Sequence, residues 1–220
     1  MSGFKFKKRL GQHFLNNQEI LQKICSIRNL NSESILEIGP GMGSLTKKIL
    51  ECNPKKLLVI EKDISLEPYL ESIKKKHSDK LKIIFGNALE IDLVDIFNEK
   101  IVLIANLPYN IASTLIINWL QNLEIFKSII VMVQKEVAER FIAKVNSKQY
   151  GRISVLIQIF CDIKKKFDVS PDNFFPKPKV ESSVIEIIPK ENIKVDYKKI
   201  DKILKLSFLH RRKTIKNNFK

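Results

Sequence analysis

Leu36-Glu37-Ile38-Gly39-Pro40-Gly41-Met42-Gly43 is the stretch from which the rest of the chain is read. An apolar run ends, three glycines follow at alternate positions, and a helix-compatible segment opens at about Ser44. Glycines at such a place let the backbone turn sharply and approach a ligand closely. Glu61 closes the next apolar run, Leu57–Ile60. An acid at that strand end can accept both hydroxyls of a ribose. Together the two features predict a site for an adenosine-type cofactor. Alone they fit NAD as well as S-adenosylmethionine. Two details favour the methyl donor. The loop reads Gly-x-Gly-x-Gly rather than the dinucleotide form Gly-x-Gly-x-x-Gly. Glu37 precedes it, and negative charge gains nothing beside a pyrophosphate but suits a ligand with a sulfonium and an amino group.

Outward from this loop, apolar runs alternate with helix-compatible segments. The runs are Ile35–Ile38, Leu57–Ile60, Lys82–Phe85, Ile101–Ala105 and Ser128–Val133, with segments such as Ser44–Glu51 and Ser113–Leu120 between them. That alternation predicts a parallel sheet covered by helices on both faces. After residue 134 the pattern changes. Lys135–Val145 and Gly151–Phe160 read as helices, and Ile163–Val169 and Ser183–Ile188 as strands separated by a proline-rich loop, Pro171–Pro178. Strands joined without an obvious helix are expected to be antiparallel. Five parallel strands and an antiparallel pair resemble the Rossmann-like seven-stranded α/β sheet of class I methyltransferases. Residues 197–209 read as an amphipathic helix with Ile200, Ile203, Leu204 and Phe208 on one face.

Composition narrows the class. The 220 residues are 44% hydrophobic, enough for one full core. No apolar run approaches the roughly 20 residues that cross a bilayer, and the basic start meets His13 and Asn16-Asn17 too soon for a signal peptide. Cys25, Cys52 and Cys161 are far apart and odd in number, which argues against zinc and against a disulfide framework. A cytoplasmic protein, without metal or membrane partner and monomeric, is the expectation. Residues 1–9 carry +4 and residues 190–220 carry +8 of the formal +15. Charge gathered at both ends predicts polyanion binding there.

Ala105-Asn106-Leu107-Pro108-Tyr109-Asn110 ends the fourth apolar run, at the sheet edge where open parallel sheets bind ligands. An adenine amino group is a poor nucleophile because its lone pair is delocalised into the ring. Accepting hydrogen bonds from both of its N–H groups encourages a tetrahedral nitrogen. The Asn106 side-chain oxygen is one candidate acceptor, and the Leu107 carbonyl, in a turn fixed by Pro108, is the other. Tyr109 offers a flat face for an extruded base. Positioning does most of the work in such a scheme, and no general base of tuned pKa is needed.

The chain resembles the ribosomal RNA small-subunit adenine N6-dimethyltransferases, the KsgA family. The resemblance rests on residues 8–15 (Lys-Arg-Leu-Gly-Gln-His-Phe-Leu), Glu37–Gly41, Val59–Glu61, Asn106–Asn110, Gln134–Val137, Tyr150–Arg152, Phe174–Val180 and residues 211–214 (Arg-Arg-Lys-Thr), in family order. It implies S-adenosylmethionine-dependent dimethylation of two adjacent adenines near the 3′ end of 16S rRNA, within a pre-30S particle and with a role in small-subunit biogenesis. His13 and Leu15 would close over the donor. Gly39 and Gly41 would flank its amino-acid part, Glu61 its ribose and Asn87 its adenine. Asn106 would touch donor and target amine, and Tyr109 and Phe174 would sandwich the target base. Lys7, Lys8, Arg9, Arg211, Arg212 and Lys213 would contact RNA. Asn87 stands where the family usually has Asp, which removes a charge from the adenine contact; Glu181 stands where Asp is usual. Residues 1–189 are expected to form the donor-binding domain with its basic arm, and 190–220 the beginning of a C-terminal helical RNA-binding domain that continues in the family. A large-subunit (23S) rRNA methyltransferase of the macrolide-resistance type and a non-catalytic assembly factor are the alternatives.

Overall fold

A computed structural model describes residues 6–7, 10–210 and 213–219. Lys8, Arg9, Arg211 and Arg212 lie outside them. Seven strands form one sheet: β1 Ser34–Ile38, β2 Lys56–Glu61, β3 Leu81–Phe85, β4 Ile101–Asn106, β5 Phe126–Gln134, β6 Cys161–Val169 and β7 Ser182–Pro189. Their order is β3-β2-β1-β4-β5-β7-β6. The first five pair in parallel, and β7 lies antiparallel between β5 and β6. Chain order reverses on either side of β1, so β1 and β4 open a crevice at their C-terminal ends, the usual ligand position in such sheets.

All five residues of β1 are buried, which is why the run lacks polar alternation. Its side chains still divide by pleat. Ile35 faces one core with Leu57, Val59 and Ile104, while Leu36 and Ile38 face the other with Leu58, Ile60 and Leu103. The edge strand β6 exposes Lys164, Lys165 and Lys166, charges that discourage pairing with another chain.

The helices are α1 Gln18–Cys25, α2 Ser44–Glu51, α3 Glu67–Lys74, α4 Ala112–Trp119, α5 Lys135–Phe141, α6 Arg152–Phe160, α7 Tyr197–Ser207 and α8 Ile215–Asn218. Asn17 caps α1 by accepting the N–H groups of Glu19 and Ile20, and Asp196 caps α7 by accepting that of Lys199. Three outcomes differ from the sequence reading. The helix expected over Lys135–Val145 stops at Phe141, because Gln158 Nε2 of α6 donates to the carbonyls of Phe141 (2.8 Å) and Ala143 (2.9 Å) and so satisfies the helix end. The strand expected from Ile163 begins at Cys161, directly where α6 ends. On α7, Leu204 is buried and Ile200 and Phe208 pack against the main core, but Ile203 turns outward, 47% exposed. Tyr197 meets Phe160 at 5.8 Å between ring centroids, so α7 shares the core of the sheet domain. All three cysteines are free. Among the described residues no helix is long and apolar enough to cross a membrane.

Candidate active site

The crevice beyond β1 and β4 is a cavity lined by the glycine loop, Glu37, Glu61, Asn87, Asn106–Ile111 and the arm residues Leu10–Leu15. The glycine loop enters it by necessity of shape. Gly41 has φ +59°, and a methyl group there would lie 2.5 Å from the Phe14 ring. Gly39 lies against the other motif: a Cβ on it would be 3.8 Å from Pro108 Cδ. The two sequence signatures, far apart along the chain, are neighbouring walls of one cavity.

Both carboxylates expected here are buried, and they differ in their bonds. Glu61 Oε2 accepts the Gly41 N–H at 3.1 Å and Oε1 the Asp63 N–H at 2.8 Å. Burial raises the Glu61 pKa, and these N–H groups oppose the rise. The Glu37 side chain accepts, among the described residues, a single hydrogen bond, from Thr46 Oγ1 to Oε2 at 2.7 Å. Burial pushes its pKa up to about 8; the Thr46 bond opposes the rise and nearby Glu61 adds to it. A protonated or poorly stabilised acid on the wall of a cavity favours a cationic ligand, which would restore its charge. This set of acceptors fits S-adenosylmethionine: two buried carboxylates, Glu61 and Glu37, line a cavity that a ligand carrying hydroxyls and positive charge would suit.

Asn106 is fixed by its nitrogen. Nδ2 donates to the His13 carbonyl at 3.0 Å, and the side-chain oxygen accepts no hydrogen bond among the described residues. The Leu107 N–H donates to Met132 O at 3.2 Å, while the Leu107 carbonyl takes part in no hydrogen bond among the described residues. The next carbonyl, of Pro108, accepts from Ile111 and Ala112 and starts α4. The Tyr109 hydroxyl shares a 2.7 Å hydrogen bond with Ser182 Oγ, and burial raises its pKa.

Three expected contacts come out differently. Phe174 is 4% exposed, pairs with Leu15 in a two-residue antiparallel ladder and belongs to the core, so it does not line the cavity. Alternation along an extended segment explains this: Phe175, its neighbour, is the residue turned out, 50% exposed and edge-on to Phe6. The ring stacked on Tyr109 is instead His13, at 5.4 Å and 27°, its Nδ1 donating to the Pro176 carbonyl at 2.6 Å. Lys7, expected on RNA, places its ammonium on the buried carboxylate of Asp63. Asn87 lines the cavity as expected, but its oxygen accepts the Leu89 N–H (3.3 Å) and its Nδ2 donates to Glu90 (2.6 Å). Leu15 is buried on the cavity wall, and Lys213 is exposed. Asp63, Gln12, Thr46 and Ser182 are the partners that motif reading passed over. Of these Gln12 stands within a quoted motif, and Asp63 and Ser182 each lie two residues past one.

The sequence model of the family described as "Ribosomal RNA adenine dimethylase" matches residues 3–220. A protein of Ehrlichia ruminantium described as ribosomal RNA small subunit methyltransferase A is 46% identical over 217 residues, 97% of this chain and 83% of that protein. The crystal structure of a dimethyladenosine transferase from Plasmodium falciparum superposes with a TM-score of 0.85 at 33% identity, covering 94% of this chain and 74% of that one. The 23S rRNA methyltransferase ErmE shares the fold, with a TM-score of 0.75 at 19% identity over 94% of this chain and 83% of that chain. With the family model matching nearly its whole length, the chain belongs to the ribosomal RNA adenine dimethylase family.

Proposed function

We propose that this dimethyltransferase acts on two adjacent adenines near the 3′ end of small-subunit rRNA, as a cytoplasmic monomer working on a pre-30S particle. S-adenosylmethionine supplies an electrophilic methyl group when bound. Glu61 holds its ribose, Gly39 and Gly41 admit its amino-acid part, Leu15 and His13 cover it, and the Asn87 oxygen reaches its adenine. The Asn106 oxygen and the Leu107 carbonyl accept the two N–H groups of the target amine, and Pro108 fixes the turn that presents them. Tyr109, tethered through its hydroxyl to Ser182, carries the base on its ring. Lys213, with Lys8, Arg9, Arg211 and Arg212, grips phosphates, and 190–220 contributes to docking RNA.

The observation that carries this reading is the pair of free acceptors. The Asn106 amide is oriented by its nitrogen, and the Leu107 carbonyl is unbonded among the described residues, at the wall shared with the glycine loop. An amine with two N–H groups and a rigid plane matches them. Asn106→Ala removes one acceptor from the transition state, and transfer of labelled methyl to small-subunit particles should fall by at least about 10²–10³-fold. S-adenosylmethionine affinity should stay measurable. Full activity in the variant overturns the mechanism. Mass spectrometry of the product decides the substrate: N6,N6-dimethyladenosine in 16S rRNA supports the proposal, and label in 23S rRNA or in neither overturns it.

A further inference from the structure

The arm that closes the donor cavity is fastened at a residue outside the cavity. Asp63 lies two positions past Glu61, is 2% exposed and does not line the pocket. Its Oδ1 receives the Lys7 ammonium, and its Oδ2 accepts Gln12 Nε2 at 2.7 Å. The Lys7 N–H donates to Gln12 Oε1 at 2.8 Å, so two arm residues and the carboxylate close a ring of bonds. Ser65 braces the acid from behind through Oγ (2.6 Å) and its N–H (3.1 Å). On the other side the Asp63 N–H donates to Glu61 Oε1, and Glu61 in turn accepts from Gly41. One buried residue thus joins the arm, through its carboxylate, to Glu61 and the glycine loop, through its backbone N–H. Burial alone would raise its pKa, and the bonds from Lys7, Ser65 and Gln12 outweigh that and hold it near about 2, so the carboxylate is charged at any working pH.

We propose that Asp63 is a positioning residue for the methyl donor: through Lys7 and Gln12 it seats the N-terminal arm over the cavity, and through its own N–H it aims Glu61. It rests on the donor-site reading above. A carboxylate bonded to a mobile-ended lysine and a glutamine can hold a chain segment without touching the ligand beneath. The ammonium of Lys7 then serves the donor site before any phosphate.

The test measures S-adenosylmethionine binding without RNA, together with the rate of tryptic cleavage in the arm at Lys8 and Arg9. Lys7→Met and Asp63→Asn should each weaken donor affinity about tenfold and speed arm cleavage. The double variant should be no worse than either single, because both remove the same bond. Lys7→Arg should restore affinity and protection, which a merely structural lesion would not allow. Lys7→Met lies on the arm, so it tests the idea even if Asp63→Asn fails to fold. Unchanged affinity and cleavage in Lys7→Met, or additive losses in the double variant, overturn the latch while leaving the donor site standing. A wild-type protein that does not bind S-adenosylmethionine defeats both.

Discussion

The N-terminal arm and the C-terminal tail carry comparable surpluses of charge, +4 over residues 1–9 and +8 over residues 190–220, and the described part of each uses it differently. Lys7 folds inward onto Asp63, and Leu10–Leu15 line the cavity beside it. In the tail, Lys205 pairs with Asp201 at 2.8 Å, but Lys198, Lys199, Lys202, Lys213 and Lys216 are exposed and form no ion pair among the described residues. The difference lies in what each end meets. The arm runs past a buried carboxylate that needs a cation, whereas α7 meets the body through Leu204, Tyr197 and the Arg152–Asp201 pair and leaves its lysines to solvent. Net charge by itself therefore predicts neither partner nor role. A cation near an unmet buried acid is claimed by it, and only the remainder is available to RNA.

The contrast can be broken most severely at Gly41. Gly41→Ala puts a methyl into the Phe14 ring and a side chain at φ +59°. The left-handed backbone alone costs about 1–2 kcal/mol. Displacing the arm should lower donor affinity more than about tenfold, while RNA affinity through the tail stays unchanged; equal losses of both would erase the distinction between the ends. A smaller change sharpens it from the other side. Neutralising Lys198, Lys202 and Lys213 to Gln should reduce rRNA affinity and flatten its salt dependence by about 0.7–0.9 per lost phosphate contact, with donor binding unaltered. A salt slope equal to the wild type's would show that these lysines are not the phosphate contacts. The smallest effect is one of pH. Asp63 has its pKa lowered from 3.8 to about 2, so its contribution is complete above pH 3.8 and is lost as pH falls through about 2. The stability gap between wild type and Asp63→Asn should be on the order of 1 kcal/mol, allowing for solvent at Lys7, constant above pH 4 and closing toward pH 2. Chemical denaturation across that range measures it; a gap independent of pH would mean that the pair contributes no charge.

Features set by local sequence were the ones legible in it. The strands follow from uninterrupted apolar runs, the glycine loop from residues that must reach φ near +60°, and the Asn106–Tyr109 turn from its place at a strand end. Most of what could not be read depended on a partner distant along the chain. Nothing near Phe141 announces that Gln158 will finish its helix. Phe174 and Phe175 are the same residue type in tandem, and only the pairing of Phe174 with Leu15 decides which is buried. Asn87 was expected at the adenine, and its local turn with the Leu89 N–H and the Glu90 carboxylate was not read from the sequence. An Asp there would face Glu90 without a proton between them, so this exchange and Glu90 form one unit.

His13 gathers three contacts: its ring covers one face of Tyr109, its Nδ1 holds Pro176, and its carbonyl holds the Asn106 amide. A base that settles on that face of Tyr109 first has to evict an imidazole and loosen the residue that orients the acceptor. A ligand also held elsewhere on the protein would bring remote binding energy to drive that exchange.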